Sequence, residues 1–404
     1  MNFNSYDPEK KKSFWHFGKK TKIFALAIFF LSIAVLMFAH NRKNFLFEKN
    51  NYASENLKNN ISTEASGEIV GFIPRPFSMD EIKKNGCVVD GFLSGYDGKI
   101  SDISDMIERS NCVYLHRALE TWLSQPDFEK AVNIMQKVNK RPLVYGMFLA
   151  EALSTQGEYI DPNWNYNFNF YKMCKKGTKD RWGNNSCIPS IDNVEYRRYL
   201  KSITHRAMDI GIQSFLFGQI KLQDGNPTFE GTQIKKVLDD MRSYAKEKNM
   251  QIIIGAQTND ITDEKYLRLF DYIEGGVGID SDGNIENQPC SSKFSGCWAL
   301  LWDKRYSSIA NNVFLHLDWS GFAWDDMDIF AKMSQANRIA TLKNLYQKFT
   351  SQNMGFLMPF LTVLNHDNGG CSGPTKNFYT PNKKYDCNDE SMINQIMPKV
   401  LQNK

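Results

Sequence analysis

The sequence predicts an α/β fold of the (β/α)8 TIM-barrel class, held outside the cytoplasm by a single N-terminal transmembrane helix. Three observations lead there. From residue 67 onward, eight short apolar runs alternate with eight longer amphipathic ones, the arithmetic of eight strand–helix units in a barrel enlarged by insertions. Residues 23–39 form an uncharged, mostly apolar run, just long enough for a helix to span a bilayer. All eight cysteines lie beyond that run, the distribution expected of an exported domain with disulfides.

Composition supports a globular body. At 404 residues, 42% hydrophobic and 23% charged, collagen-like, coiled-coil and wholly disordered classes are excluded. The net charge of +4 resides entirely in residues 1–22, where six lysines (Lys10, Lys11, Lys12, Lys19, Lys20, Lys22) face Asp7 and Glu9. The rest of the chain is balanced, so a nucleic-acid partner is not expected. The lysines before the apolar run outnumber Arg42 and Lys43 after it, which leaves residues 1–22 cytoplasmic and makes 23–39 a signal anchor. A cleaved signal peptide is the alternative, but Met37-Phe38-Ala39 lacks the small residue wanted three places before the cut. Residues 40–66, rich in Asn, Lys, Glu and Ser, read as a polar stalk. The barrel would fill residues 67–404.

Strands are expected at 87–92, 112–118, 143–149, 214–219, 251–257, 272–277, 313–318 and 355–361. Each is short and mostly apolar on both faces, as in a buried parallel sheet. Helices are expected near 101–110, 127–140, 193–210, 230–249, 262–270, 304–311, 326–352 and 390–402. Asp192 followed by Glu195 gives a capping-box start, and Ser124 precedes Pro126 and Asp127 at another. In the last helix Ile393, Met397 and Leu401 share a face. A doubly wound open sheet also alternates, but usually with fewer units. In a barrel Cys87 and Cys112 begin neighbouring strands, within bridging reach. Cys174 with Cys187, Cys290 with Cys297 and Cys371 with Cys387 would staple the loops after strands three, six and eight. Eight cysteines allow 105 pairings, and no C-x-x-C zinc pattern occurs.

Barrel active sites gather at the carboxyl ends of the strands. In residues 313–318 the odd positions are aliphatic and suit the helix-facing side, which turns His316 and Asp318 inward. The same alternation aims Asp90, His116, Glu120, Gln219, Gln257 and Glu274 inward, with Glu151 just past strand three and Asn365 to Asp367 just past strand eight. Apart from Trp15, every tryptophan follows a strand's end. Trp164 lies in a stretch, 161–168, that interleaves aromatics with asparagines. Aromatic faces stack on pyranose rings while amides meet the hydroxyls, so the expected partner is a carbohydrate polymer. Glycoside hydrolysis needs two carboxyl groups: Glu274 and Asp318 are the first pair, Asp90 and Glu151 the reserves. His116, Trp122, Trp164, Gln219, Gln257, Trp298, His316 and Trp319 would bind substrate. No cofactor is expected. His116, His316 and Asp318 offer a metal site as an alternative, without H-x-H or H-E-x-x-H spacing; G-x-G-x-x-G and G-x-S-x-G patterns are absent.

In architecture, residues 67–404 resemble the (β/α)8 glycoside hydrolases, including glycosidase-like proteins tethered to bacterial envelopes. Familiar retaining families carry Asn-Glu after strand four and Glu after strand seven. Here those strands end Gly218-Gln219 and Asp318-Trp319. The resemblance therefore implies either a hydrolase of another lineage or a barrel that binds glycan without cleaving it.

Overall fold

The computed structural model describes residues 74–400 apart from 97–99, 139–142, 287–300, 320–324, 365–370, 372–377 and 384–386. The expected tail, anchor and stalk lie outside the described residues, as do Cys290, Cys297, Trp298 and Asn365 to Asp367. Among the described residues, no helix is long and apolar enough to cross a membrane.

Eight parallel strands form the frame: β1 (Gly86–Val89), β2 (Tyr114–Glu120), β3 (Val144–Leu149), β4 (Ser214–Phe217), β5 (Ile253–Ala256), β6 (Tyr272–Gly276), β7 (Val313–His316) and β8 (Met358–Val363). Each pairs in parallel with the next from β1 through β7. Gly355–Phe356 then pairs with β7, and after Leu357 the chain continues as β8 and pairs with β1. That single-residue step closes the sheet. Phe378–Tyr379 adds antiparallel to β8 as a tenth strand.

Alternation along the strands sorts two apolar clusters. Val88, Tyr114, Phe148, Leu216, Tyr272 and Phe314 pack inside the barrel. Their chain neighbours Val89, Leu115, Leu149, Phe217, Ile273 and Leu315 pack against the surrounding helices. A helix not expected from the sequence, Met79–Lys84, brings Ile82 into the inner cluster together with Phe77, and so plugs the amino end. Its start is capped by Ser78, whose Oγ accepts the Glu81 N–H at 3.1 Å.

The helices follow the expected order, and several differ in extent. The expected 326–352 helix is two, Asp326–Lys332 and Gln335–Thr350. Met333 between them is extended, and Ser334 caps the second by accepting from Asn337 N. The last helix, Glu390–Ile396, stops at Met397 (ψ 143°), because Pro398 disfavours a helical residue before it. The expected 262–270 helix shrinks to Glu264–Leu267. Disulfides join Cys87 to Cys112, Cys174 to Cys187 and Cys371 to Cys387, with Cα separations of 5.8, 5.7 and 5.0 Å.

Candidate functional site

The barrel interior turns polar as it rises. At its floor the hydroxyls of Tyr114, Ser214 and Tyr272 meet, with Tyr114 Oη 2.8 Å from Ser214 Oγ and 3.4 Å from Tyr272 Oη. Tyr114 Oη also lies 2.6 Å from His116 Nδ1. His116 Nε2 is 3.6 Å from Glu274 Oε2. The other oxygen of Glu274 contacts His316 Nε2, which stands 3.8 Å from Asp318 Oδ1. A continuous polar chain thus climbs from the tyrosines to Asp318 at the end of β7.

Its charges follow from geometry. Burial alone would raise the proton affinity of Glu274, but the His316 charge, together with hydrogen bonds from both imidazoles, overturns this and holds it well below the usual carboxylate range. Burial opposes the His316 charge too, yet Glu274 carries its pKa up to about 9. His316 is therefore an imidazolium, its Nδ1 donating to Leu317 O at 3.1 Å and its Nε2 facing Glu274. Burial dominates at His116 and lowers its pKa. It stays neutral, with Nε2–H toward Glu274 and Nδ1 free to accept from Tyr114. At Asp318 burial raises the pKa and the His316 charge partly offsets this.

Glu274, expected to pair with Asp318 as a reacting group, lies between His116 and His316. Glu274 is wholly buried, one layer below Asp318, between two imidazoles. It cannot touch a substrate without their displacement. Its negative charge favours the protonated form of His316.

Glu151 suits proton transfer better. Its Oε1 accepts from Gln219 Nε2 at 2.6 Å, while Oε2 is buried and makes no hydrogen bond among the described residues. Burial raises its pKa to about 6, and the charge of Asp318 adds to the rise. Gly218 is what lets this carboxyl lie over the end of β4: a Cβ there would stand 2.3 Å from Glu151 Oε2 and 2.5 Å from the Phe148 ring. Gly276 does the same for Asp318, whose Cβ would be 2.7 Å from one added to the glycine.

Asp90 and Glu120 point inward as expected, but onto a cation the alternation did not reveal. Arg117 Nε is 3.3 Å from Asp90 Oδ1, and Nη2 is 3.3 Å from Glu120 Oε1. The guanidinium lies 4.3 Å over the Phe148 ring. Burial opposes its charge, but Asp90, Glu120, Glu274 and Asp318 together hold it firmly protonated. Strict alternation would put Arg117 outside. A bulge in β2, where the five residues from Leu115 to Leu119 lie opposite only three of β3, Tyr145 to Met147, and a left-handed φ of 56° at Arg117 turn it in. No signal in the sequence marks that bulge.

The amides Gln219 and Gln257 are joined, Gln219 N donating to Gln257 Oε1 at 3.2 Å. Trp122 packs on the inner cluster and edge-on to Trp182, 5.6 Å away, whose Nε1 donates to Glu151 O at 3.0 Å. Trp319 packs instead against the helix-facing cluster. Trp164 is not at the mouth; it lines a separate groove. Asp326, unnoticed in the sequence, accepts from the backbone N–H groups of Val277, Gly278 and Ile279 at 3.1, 3.0 and 2.8 Å, and so pins the loop after β6. Among the described residues, no group of three His, Cys, Asp or Glu is arranged to hold a metal ion.

No protein-family model and no curated protein sequence matches the chain. Solved structures do. An α-galactosidase from Thermus thermophilus in complex with stachyose is 11% identical, covering 81% of this chain and 67% of its own, with a TM-score of 0.44. α-Galactosidase I from Mortierella vinacea is 8% identical, covering 78% and 73%, with a TM-score of 0.40. A β-L-arabinopyranosidase from Geobacillus stearothermophilus in complex with arabinose is 7% identical, covering 48% of this chain and 55% of its own, at a TM-score of 0.28. The chain thus spans about half the length of that enzyme.

Proposed function

We propose that the barrel mouth hydrolyses or remodels a polysaccharide, with Glu151 as proton donor and Asp318 as nucleophile or base. The proposal includes the cellular setting: residues 23–39 anchor the chain, and the barrel faces a glycan outside the cytoplasm. The observation that carries the reading is Glu151, a buried carboxyl with pKa about 6 and an oxygen left without a hydrogen bond, coupled to a second inward carboxyl. Glycosidic cleavage needs this division of labour between two carboxyl groups.

Protonated Glu151 would give its proton to the leaving oxygen as the glycosidic bond breaks. Asp318, whose charge the His316 imidazolium favours against burial, would attack the anomeric carbon or take a proton from the attacking water. In the first case water then cleaves the glycosyl ester and returns a proton to Glu151. Arg117 balances Asp90 and Glu120, which keeps the mouth from accumulating uncompensated negative charge. Trp122 and Trp182 supply an aromatic wall beside Glu151.

The test is release of reducing ends from a panel of neutral and acidic polysaccharides by the full-length protein. At least one should be cleaved, and Asp318→Asn should lower its turnover by about 10³-fold or more. Cleavage of none, or an unaffected Asp318→Asn variant, would overturn the proposal. Binding without cleavage would leave a glycan-binding barrel.

A further inference from the structure

The segment between β3 and β4 builds a second cavity, a groove of about 400 Å³, within the range of small-ligand sites. One wall is the hairpin of Ile160–Asp161 and Tyr166–Asn167, whose turn carries Trp164. The other is the helix Val194–Asp209, which contributes Arg198, Ser202 and Arg206. Those three are spaced by four residues and so share one face.

Three features of the groove lack a counterpart among the described residues. Trp164 is 82% exposed, an indole offered to solvent between Asn163 and Asn165. Ser202 is more than nine-tenths buried, yet its hydroxyl has no hydrogen-bond partner among the described residues. Arg206 Nη1 is also buried and unpartnered, and its guanidinium lies 4.4 Å over the Phe128 ring. The neighbouring cations are engaged: Arg198 lies 3.6 Å from Glu195, while Lys201 and His205 lie 2.6 and 2.8 Å from Asp240. Asp161 is the acid felt most strongly by Arg206.

Buried donors without acceptors are costly, and a guanidinium beside a hydroxyl matches the two oxygens of a carboxylate. An exposed indole flanked by amides suits the apolar face and hydroxyl edge of a pyranose ring. We infer that this groove binds an acidic saccharide, its ring on Trp164 and its carboxylate on Arg206 and Ser202. The choice of ligand class rests on the glycan reading of the protein, but no reaction at the barrel mouth is required.

Titrating the full-length protein with a galacturonate hexamer, an uncharged galactose hexamer and sulfate alone tests this. The galacturonate hexamer should bind best, more weakly as salt rises, and Trp164→Ala and Arg206→Gln should each weaken it about tenfold or more. Asp318→Asn should leave this binding unchanged. Because Arg206 packs on Phe128, Trp164→Ala, on an exposed turn, carries the test if the arginine variant fails to fold. Absence of binding, equal affinity for the uncharged hexamer, sulfate binding as tightly as the hexamer, or a Trp164→Ala variant that binds like the parent would each overturn the inference. Groove binding without turnover of any glycan would count against the proposed reaction and not against the groove.

Discussion

At Glu151 the chain holds a proton at a pH where an ordinary carboxyl has lost it. Burial comes first among the causes, and the nearby Asp318 charge reinforces it, giving a pKa of about 6. A proton donor works only while protonated, so kcat/KM should fall about tenfold per pH unit above pH 6. The pH profile of Glu151→Gln on the same substrate checks the assignment: the limb should vanish, and a limb that persists belongs to another group. The titration of His316 bears on stability. Its pKa of about 9 exceeds the ordinary value of 6.5, so its ion pair with Glu274 stabilises the fold fully below pH 6.5 and is lost as pH rises through 9. Alternation along the strands is enough to aim Asp90, His116, Glu120, Glu274, His316 and Asp318 inward. It could not rank them by depth, which is why Glu274 reads as a reacting group in the sequence and as a histidine clamp in the structure. Arg117 escaped because one left-handed residue in β2 breaks the period.

Among the elements, strands were the most legible because a buried parallel sheet demands apolar runs of nearly fixed length. Helix ends were less so. Ser334 and Pro398 both carry recognisable stop or start chemistry, yet the amphipathic pattern runs on through each and masks it. The cap at Ser334 is a measurable part of the fold: Ser334→Ala should cost about 1 kcal/mol, read as a lower denaturant midpoint with unchanged slope. No loss would mean that helix Gln335–Thr350 begins without it. Three of the expected disulfides were legible because the barrel brings Cys87, in β1, within 5.8 Å of Cys112, just before β2, and because the other two pairs close short loops. The fourth, Cys290 with Cys297, lies outside the described residues.

For the molecule as a whole, eight repeats of strand and helix specify closure almost by counting, and the step at Leu357 completes it. What counting cannot supply is the division of the interior into an uncharged floor, a histidine–carboxylate layer and a mouth of mixed charge. That layering depends on contacts between strands distant in sequence, such as Glu151 with Gln219 and Arg117 with Asp90. It also separates the mouth from the Trp164 groove, which residue type alone had merged. The central claim is that Glu151 gives the proton and Asp318 does not. The most direct measurement compares Glu151→Gln and Asp318→Asn on the natural glycan and on a dinitrophenyl glycoside of the same sugar, whose leaving group needs no proton. Glu151→Gln should lose about 10²–10⁴-fold on the glycan and keep most of its rate on the activated substrate, while Asp318→Asn should fail on both. Equal losses of Glu151→Gln on both substrates, or near-parental rates for Asp318→Asn, would contradict the assignment.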